Sequence, residues 1–517
     1  MTSAPPVPRP LRRTAWPPRR PRRPRGPLAA VWAMAAVWAG VLSYLSVRRY
    51  DAFWTGRFDL GNMVQAVWST AQGRPLETTD IAGDQFVRLG AHVDPILILF
   101  TPLAWTGALP QALLVAQAVI VATGALPAYW LGRRWLGDER LAVAGAAVYL
   151  LYPPLLWTTL TEFHPVTLAA PLLLFCIWAA EERRHAILTV CAVLAALTKE
   201  EVGLALAMLG LWMVVRGLGR RYGAALAAAS LAWVAFAVLV VIPRFNDGRG
   251  SAFVDRYATL GEDGAGVSRT LLTRPWEAAE LVASYDRLSY LVALLVPLAF
   301  LSLAAPLLAA GALPEVLINV LSDWFPQYSI EFQYVAVIVP FLVAAAILGL
   351  ARLRRLERPA WLARALGRDG AVAAVWVGVV LASGVYLGPL PWWNAVPVVG
   401  SDERVEQYRV DEHAAAAARA VALIPDGVPV SAGNLLGAHL SERERILTFP
   451  AVGEAQWVLV DRRRPYIADR IAPVSHAIRV AELRARPDMR LVLDDGGVMV
   501  FRRAAPTAGP DGAGAPG

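Results

Sequence analysis

Apolar runs of about 20 residues recur along this chain, and a helix of that length is enough to span a bilayer. Such runs include residues 28–47, 112–131 and 371–387, which are apolar nearly all round rather than along one face. Hydrophobic residues make up 56% of the 517 positions, and charged residues only 17%. The sequence therefore predicts a polytopic α-helical membrane protein of the plasma membrane.

Basic residues set the predicted orientation. Eight arginines precede the first apolar run, and the cytoplasmic flanks of membrane helices carry an excess of Lys and Arg, so residues 1–27 are predicted to form a disordered cytoplasmic tail. This tail and the short loops account for the net charge of +8. We therefore expect membrane lipids, and no nucleic acid, as partners of the basic residues.

Threading the apolar runs through a bilayer predicts about 11 transmembrane helices within residues 28–388. The main outer loops are predicted at residues 48–110 and 244–287. The turn between the eighth and ninth helices, predicted near residues 304–312, carries no charge. This turn is the least constrained part of the predicted topology. If one span were absent there, every later span would have the opposite orientation in the membrane.

The segment after Pro389 changes character. Short apolar strands are predicted at 428–431, 446–449, 457–461, 491–493 and 498–501, with helices at 414–423 and 476–484. Residues 389–504 are therefore predicted to form a small C-terminal extracytoplasmic α/β domain. Residues 505–517 are rich in Ala, Gly and Pro and are predicted to be disordered.

The first outer loop contains two candidate acids. Asp59 follows the first helix at the start of an amphipathic stretch, where a carboxylate facing a cavity could accept a proton from an incoming hydroxyl group. The alternative role is a helix N-cap, for which Asp is also favoured. Asp84 lies farther along the same loop and is a candidate substrate ligand.

His92 and Asp94 close this loop in the segment His-Val-Asp-Pro. A His and an Asp two positions apart could ligate a divalent metal ion or bind a phosphate-bearing substrate. Asp94 could instead cap the helix that begins at Pro95. The sequence thus names His92 as a candidate substrate ligand and leaves the metal undecided.

Two further polar clusters flank apolar segments on the predicted outer side. Glu162 and His164 lie in a short turn, where burial without partners is unfavourable, so a polar cavity or a capping role before Pro165 is expected. Lys199 is the only lysine among 49 basic residues and is followed by Glu200. A compact ammonium suits a phosphate or a carboxylate, although a plain cluster of charges at a helix end is the alternative.

Glu331 lies after the predicted ninth helix and could bind sugar hydroxyl groups. Trp324 and Tyr328 nearby are more typical of an interfacial aromatic belt. The chain has no Walker-A loop and no Gly-x-Ser-x-Gly segment, which argues against cytoplasmic nucleotide chemistry and against that type of hydrolase. Four other histidines, at positions 185, 413, 439 and 476, are interpreted as structural.

Taken together, these segments resemble a known family. Phe58-Asp59-Leu60-Gly61 with Gln65 and Trp68, and segments 90–95, 162–165 and 199–201, are similar to the bacterial membrane family called domain of unknown function 2079. The resemblance covers most of residues 28–460, and that family is distantly similar to the GT-C glycosyltransferases.

The resemblance implies a GT-C-like fold whose first outer loop carries an essential acid, Asp59, and which takes sugars from polyprenyl-phosphate donors. It makes Lys199 and the two histidines candidates near the donor phosphate. Many GT-C enzymes have two acids close together in this loop, whereas Asp59 has no adjacent acid. No cofactor is therefore firmly implied, and a divalent metal ion is left open.

These observations favour a membrane glycosyltransferase that moves a sugar from a polyprenyl-phosphate-linked donor to a cell-envelope acceptor on the outer side. The alternatives are a lipid or polysaccharide transporter or flippase, and a non-catalytic envelope scaffold. A transporter would place ionisable groups near the bilayer midplane, often within repeated halves. The candidate residues gather instead at predicted outer helix ends, which favours the enzyme.

Overall fold

Helices form most of the chain up to residue 395. The computed structural model describes residues 25–250, 252–356, 364, 367–395, 405–464 and 476–504. The helices in the first part are Arg25–Asp51, Asn62–Ala71, Leu109–Ala122, Ala125–Leu136, Glu139–Leu151, Pro153–Leu160, Ala169–Glu181, His185–Ala196, Val202–Arg216, Arg220–Phe236, Ile242–Phe245, Gly264–Thr273, Pro275–Val282, Tyr285–Leu295, Pro306–Ala309, Leu313–Val320, Ile338–Leu353 and Asp369–Leu387.

Among the described residues, 4 helices are long and apolar enough to cross a membrane: Gly26–Asp51, Leu109–Leu136, Arg220–Phe245 and Asp369–Leu387. Two bent helix pairs raise this number to 6 if each pair is one span. Shorter apolar helices of 10–17 residues pack between them. The helical membrane class is confirmed, and the larger number of spans stays a prediction.

One apolar segment of the helical part is bent, and one predicted turn is wrong. The segment from Glu139 to Leu160 is bent by 43° between Glu139–Leu151 and Pro153–Leu160, because Pro153 cannot donate the backbone hydrogen bond that a continuous helix needs. The turn predicted at 304–312 lies largely within the apolar segment Pro306–Val320. The chain turns earlier, where Ala299 and Phe300 adopt positive φ values of 51° and 57°.

Helix Ile338–Leu353 lies at the centre of the helical core. Its residues from Ile338 to Ala351 are all buried, as expected of a helix that is apolar on every side. It packs against Ala125–Leu136 and Ala169–Glu181. This arrangement leaves the polar residues at the helix ends and in the connecting loops.

Residues 405–464 and 476–504 contain a five-stranded sheet of strands β3 to β7. A two-stranded antiparallel sheet in the first loop precedes it, with strands β1 and β2. The strands are β1 Glu77–Thr79, β2 Gln85–Val87, β3 Val430–Ala432, β4 Ile446–Thr448, β5 Trp457–Asp461, β6 Met489–Asp495 and β7 Val498–Arg503. The five-stranded sheet has the order β4-β3-β5-β7-β6, in which β3 is parallel to β4 and β5 while β7 is antiparallel to β5 and β6.

Helices cover both faces of this sheet. Strand β5 is buried along its whole length, and its side chains alternate between two apolar clusters. Trp457 and Leu459 pack with helix Glu412–Ala422, whereas Val458 and Val460 pack with helix His476–Ala485. The strands and helices of this region lie close to the predicted segments, and the assignment of residues 389–504 as a separate extracytoplasmic domain stays a prediction.

Candidate functional site

Asp59 lies in a single π-helical turn, Arg57–Gly61, between the first helix and helix Asn62–Ala71. Its Oδ1 is 3.1 Å from Nε2 of His164. The Asp59 side chain is 34% exposed, whereas that of His164 is only 6% exposed. Asp59 therefore presents its carboxylate outward with the imidazole behind it, and it does not act as the N-cap of the following helix, whose cap is Gly61.

Glu162 holds the turn that carries Asp59. Its Oε1 accepts the backbone N–H of Gly56 at 2.9 Å, and its Oε2 accepts that of Leu60 at 2.8 Å. Glu162 itself has φ of 111°, a conformation that is strained for a residue with a side chain and that clusters at functional sites. Both carboxylate oxygens are thus already engaged with the protein, in a position that fixes the Asp59 turn.

Gln117, a buried residue of helix Leu109–Ala122, fixes the turn that contains Glu162. Its Nε2 donates to the carbonyl groups of Thr159 and Glu162 at 2.9 and 2.7 Å, and its Oε1 accepts the N–H of His164 at 2.9 Å. Gln117 is completely buried. A buried amide with these three hydrogen bonds supplies the partners that an irregular turn between helices would otherwise lack.

Charges around Asp59 oppose the effect of burial on its ionisation. Burial favours the neutral acid, but the hydrogen bond and charge of His164, with the charges of Arg88 and Arg49, hold the pKa of Asp59 below its usual value. For Glu162, burial and the nearby Asp59 charge raise the pKa to about 8. Of the two acids, Asp59 is the one that is ionised at neutral pH.

A second group of charges surrounds Lys199, in the connection between helices His185–Ala196 and Val202–Arg216. Glu200 accepts from Nδ1 of His92 at 3.1 Å and from the backbone N–H of Val93 at 2.9 Å. Lys199 forms an ion pair with Glu201. The residues around Lys199 are therefore joined directly to the segment that contains His92.

The ionisation of this group reflects competition between burial and charge. Burial acts to lower the pKa of Lys199, but the carboxylates of Glu201 and Glu200 outweigh it and raise that pKa. Burial raises the pKa of Glu201 to about 7 despite the pairing with Lys199. Burial also lowers the pKa of His92, so His92 is neutral at pH 7 and donates through Nδ1 to the Glu200 carboxylate.

Arg88 and Asp94 form a buried ion pair between the two groups. Nε and the Nη2 of Arg88 both lie 2.8 Å from Oδ2 of Asp94. The charge of Arg88 acts on both Asp59 and His92. Asp94 makes no side-chain capping bond to the 3₁₀ helix Pro95–Thr106, so its role is to pair with Arg88 rather than to cap.

The segment at residues 244–287 supplies a residue, Arg256, that the sequence did not single out. The guanidinium carbon of Arg256 lies 4.4 Å from the ring centre of Phe253 and 5.8 Å from that of Tyr334. The same rings also contact the candidates: His92 stacks on Phe253 at 4.5 Å, and Lys199 Nζ lies 5.6 Å from the Tyr334 ring centre. Arg256 was missed because its loop carries scattered arginines with no distinguishing spacing.

Glu315 is a further buried acid near the Lys199 group and lies within electrostatic range of Lys199. The remaining candidates lie in different surroundings. Glu331 is exposed, and its backbone carbonyl accepts from Thr161 Oγ1 at 2.7 Å. Asp84 is exposed in the turn between β1 and β2, where its backbone bonds to Asp80. The structure thus brings Asp59, Glu162 and His164 together, and His92, Lys199 and Glu200 together.

No metal-binding set is formed by the described part of the chain, within which no group of three or more His, Cys, Asp or Glu side chains is arranged to hold an ion. The Asp59 environment explains this result. His164 is bonded to Asp59, and both oxygens of Glu162 accept backbone N–H groups. With these atoms already engaged, the three side chains do not fit a resident divalent ion.

The fold is similar to that of ArnT, a protein of known structure. ArnT from Cupriavidus metallidurans in the apo state is 15% identical, with a TM-score of 0.54 over 93% of this chain and 99% of ArnT. The same protein bound to undecaprenyl phosphate is 14% identical, with a TM-score of 0.51 and the same coverage. An oligosaccharyltransferase from Archaeoglobus fulgidus, tethered with an acceptor peptide, is 13% identical with a TM-score of 0.44, covering 84% of this chain and 69% of that one.

At these identities the likeness to ArnT shows the fold. No curated protein matches this sequence. The predicted family resemblance is confirmed, because the DUF2079 family, described as a predicted membrane protein, matches residues 49–481. The chain is therefore a member of the DUF2079 family of predicted membrane proteins.

Proposed function

We propose that this protein transfers a sugar from a polyprenyl-phosphate donor to a cell-envelope acceptor on the outer side of the membrane. The observation that carries the proposal is the partly exposed carboxylate of Asp59, paired with His164 in a turn that Glu162 fixes. The GT-C-like fold supports it. In the ArnT structure with the same coverage, the bound molecule is undecaprenyl phosphate.

Asp59 would act as the general base. As the acceptor oxygen attacks the anomeric carbon, the carboxylate takes the hydroxyl proton, and the bond from that carbon to the phosphate oxygen breaks. The products are the glycosylated acceptor and polyprenyl phosphate, with inversion at the anomeric carbon. A carboxylate with a low pKa is a weak base, so the proton moves as the new bond forms rather than before it.

Lys199 and Arg256 would bind the donor phosphate. Both cations lie within 6 Å of the Tyr334 ring centre, so a phosphate beside this ring could meet both. Cations placed where negative charge develops stabilise the leaving phosphate in the transition state. His92 and Glu200 would then orient the segment around Lys199 rather than contact the donor, because their polar atoms already bond to each other.

The topology required by this proposal is the predicted one, with about 11 spans, a cytoplasmic N-terminus and the α/β domain at residues 389–504 outside. The outer loops at residues 48–110 and 244–287 would carry the site. An apolar groove lies between helices Tyr285–Leu295 and Asp369–Leu387, lined in part by Leu288, Val292 and Leu387. Such a groove suits the polyprenyl chain of a donor that enters laterally from the outer leaflet.

The proposal is tested with the purified protein in proteoliposomes that contain polyprenyl-phosphate sugars and a cell-envelope extract as the acceptor source. We expect the donor to be consumed, with release of polyprenyl phosphate and labelling of the extract. Movement of the donor across the bilayer without a covalent product would support a flippase instead. Binding without either change would support a scaffold, and each of these two outcomes would reject the transferase.

A further inference from the structure

The turn that carries Asp59 is held from two sides by distant side chains. Glu162 accepts the N–H groups of Gly56 and Leu60, and the N–H of Phe58 donates to Oδ1 of Asn434 at 3.0 Å. Asn434 lies 376 positions away in the sequence and is completely buried. Three backbone donors on alternate residues, at 56, 58 and 60, are thus satisfied by a helix-end turn and by the C-terminal α/β region.

We propose that Asn434 is a positioning residue for Asp59, and that the C-terminal α/β region is part of the site rather than a movable cover. Asn434 begins the short helix Asn434–Gly437, which follows directly after strand β3. The rigid sheet therefore places its amide. This inference rests on the proposed function, because it assigns a catalytic consequence to the fixed position of Asp59.

The Asp59 turn and the α/β region are in close contact, with little space between them for side chains. A Cβ atom added at Gly61 would lie 2.6 Å from Ser441 Oγ, and one added at Gly437 would lie 2.9 Å from Cβ of Arg57. Contacts this short are essentially never made by real Cβ atoms, so glycine on both sides allows the approach. With so little space between them, a shift of the helix at Asn434 would be transmitted to the Asp59 turn.

Contacts on both sides of Asp59 prevent the α/β region from swinging away. Before the turn, His439 stacks with Tyr50 and Phe53 at ring-centre distances of 4.0 and 3.8 Å. After the turn, Nε2 of Gln65 donates to the Glu444 carbonyl at 2.9 Å. The α/β region therefore contacts the Asp59 segment before, at and after the turn. This is the arrangement expected of a support for a catalytic group.

The test compares Asn434→Ala, which removes the acceptor for Phe58, with Asn434→Asp, which keeps an acceptor oxygen. We expect Asn434→Ala to lower kcat about 10-fold to 100-fold with little change in the donor KM, because small displacements of a reacting group lower the rate by such factors. Asn434→Asp should keep most of the activity. Val430→Ala, a buried change in neighbouring β3, is the matched control and should lower Tm without lowering kcat.

Hydrogen exchange of the Phe58 amide gives a readout that needs no enzymatic activity. Exchange should be faster in Asn434→Ala and unchanged in Asn434→Asp and in Val430→Ala. Unchanged Phe58 protection or unchanged kcat in Asn434→Ala would overturn the inference, as would a kcat loss that simply follows Tm in all three variants. Absence of sugar transfer by the wild-type protein would reject the proposed function, whereas amide exchange would still decide whether Asn434 holds the turn.

Discussion

The Asp59 group and the Lys199 group differ in how they are built. Asp59 is a single acid that is supported by one hydrogen bond to His164 and by a turn that Glu162 and Asn434 fix. The Lys199 group instead sets one ammonium among several buried or half-buried carboxylates. These are Glu200, Glu201 and Glu315.

The difference indicates that the two groups have different roles, one in the reaction and one in phosphate binding. Asp59 itself is held in one geometry, and its lowered pKa keeps it ionised near neutral pH, which suits a group that must meet a reacting atom. In the Lys199 group, Glu201 has a pKa of about 7, so its charge changes within the physiological range. Such a group suits the capture and release of an anion, because a bound phosphate can replace a carboxylate as the partner of Lys199.

Removing the carboxylate charge at Asp59 should have the largest effect. We expect Asp59→Asn to lower kcat by about 10²-fold to 10⁴-fold, the range typical of a lost general base, with little change in the donor KM. Steady-state kinetics of sugar transfer measure both. Asp247→Asn is the control, since Asp247 is exposed in a turn at φ of 51°, a conformation that Asn tolerates. Wild-type kcat in Asp59→Asn would exclude this residue as the base.

Removing the ammonium at Lys199 should act mainly on binding. We expect Lys199→Ala to weaken binding of undecaprenyl phosphate about 10-fold to 100-fold, because it removes one charge-assisted contact. Lys199→Arg should retain part of the affinity, and Arg256→Ala should weaken binding as well. Titration calorimetry in detergent measures these affinities, with the exposed Arg269→Ala as a control. Equal effects of Lys199→Ala and Asp59→Asn on donor affinity would contradict the proposed division.

The local parts of both groups could be predicted from the sequence. The segments around Asp59, Glu162 and Lys199 were recognised because polar residues in or beside apolar runs are unusual and because short motifs mark them. The strands of the α/β region were predicted for a related reason, since apolar runs alternating with helical patterns depend on neighbouring residues alone.

Contacts between distant segments could not be predicted in the same way. The hydrogen bond from Phe58 to Asn434 joins residues 376 positions apart, and nothing in the local sequence of either residue indicates the other. Arg256 reaches the Lys199 group only through the shared ring of Tyr334. The predicted substrate contact of Glu162 stays a prediction, and we favour a positioning role because both of its oxygens already accept backbone N–H groups.

A pH titration should separate the two groups further. As pH rises through about 7, Glu201 ionises and competes with the donor phosphate for Lys199. We therefore expect the donor KM to rise about threefold to tenfold between pH 6 and pH 8, with kcat less affected. An interaction that shifts a pKa by about one unit changes a binding constant about tenfold. Glu201→Gln should remove this dependence, and a KM that rises equally in that variant would show that another group titrates.

The proton held by Glu201 also links pH to stability. Because the pKa of this acid is raised on folding, its contribution to stability is complete at low pH. That contribution is lost as pH rises from the ordinary Glu value near 4.3 towards about 7. The thermal stability of Glu201→Gln should therefore fall less over this range than that of the wild-type protein, and parallel losses in the two proteins would contradict the assignment.

The smallest effect on activity is expected from a charged pair within the α/β region, His413 and Asp461. Nε2 of His413 lies 2.8 Å from Oδ2 of Asp461, and its Nδ1 lies 3.0 Å from the Gly496 carbonyl. Both partners are acceptors, so the ring carries two protons, and the hydrogen bond to Asp461 raises its pKa despite burial. The stabilisation is complete below the ordinary His pKa near 6.5 and is lost as pH rises through the raised value.

His413→Gln should therefore lower Tm by several degrees at pH 6 and by less at pH 9, with a loss of about 1.5–3 kcal/mol in the free energy of unfolding at the lower pH. Scanning fluorimetry measures this, His185→Gln at an exposed site is the control, and a Tm difference that grows with pH would show that His413 is held neutral.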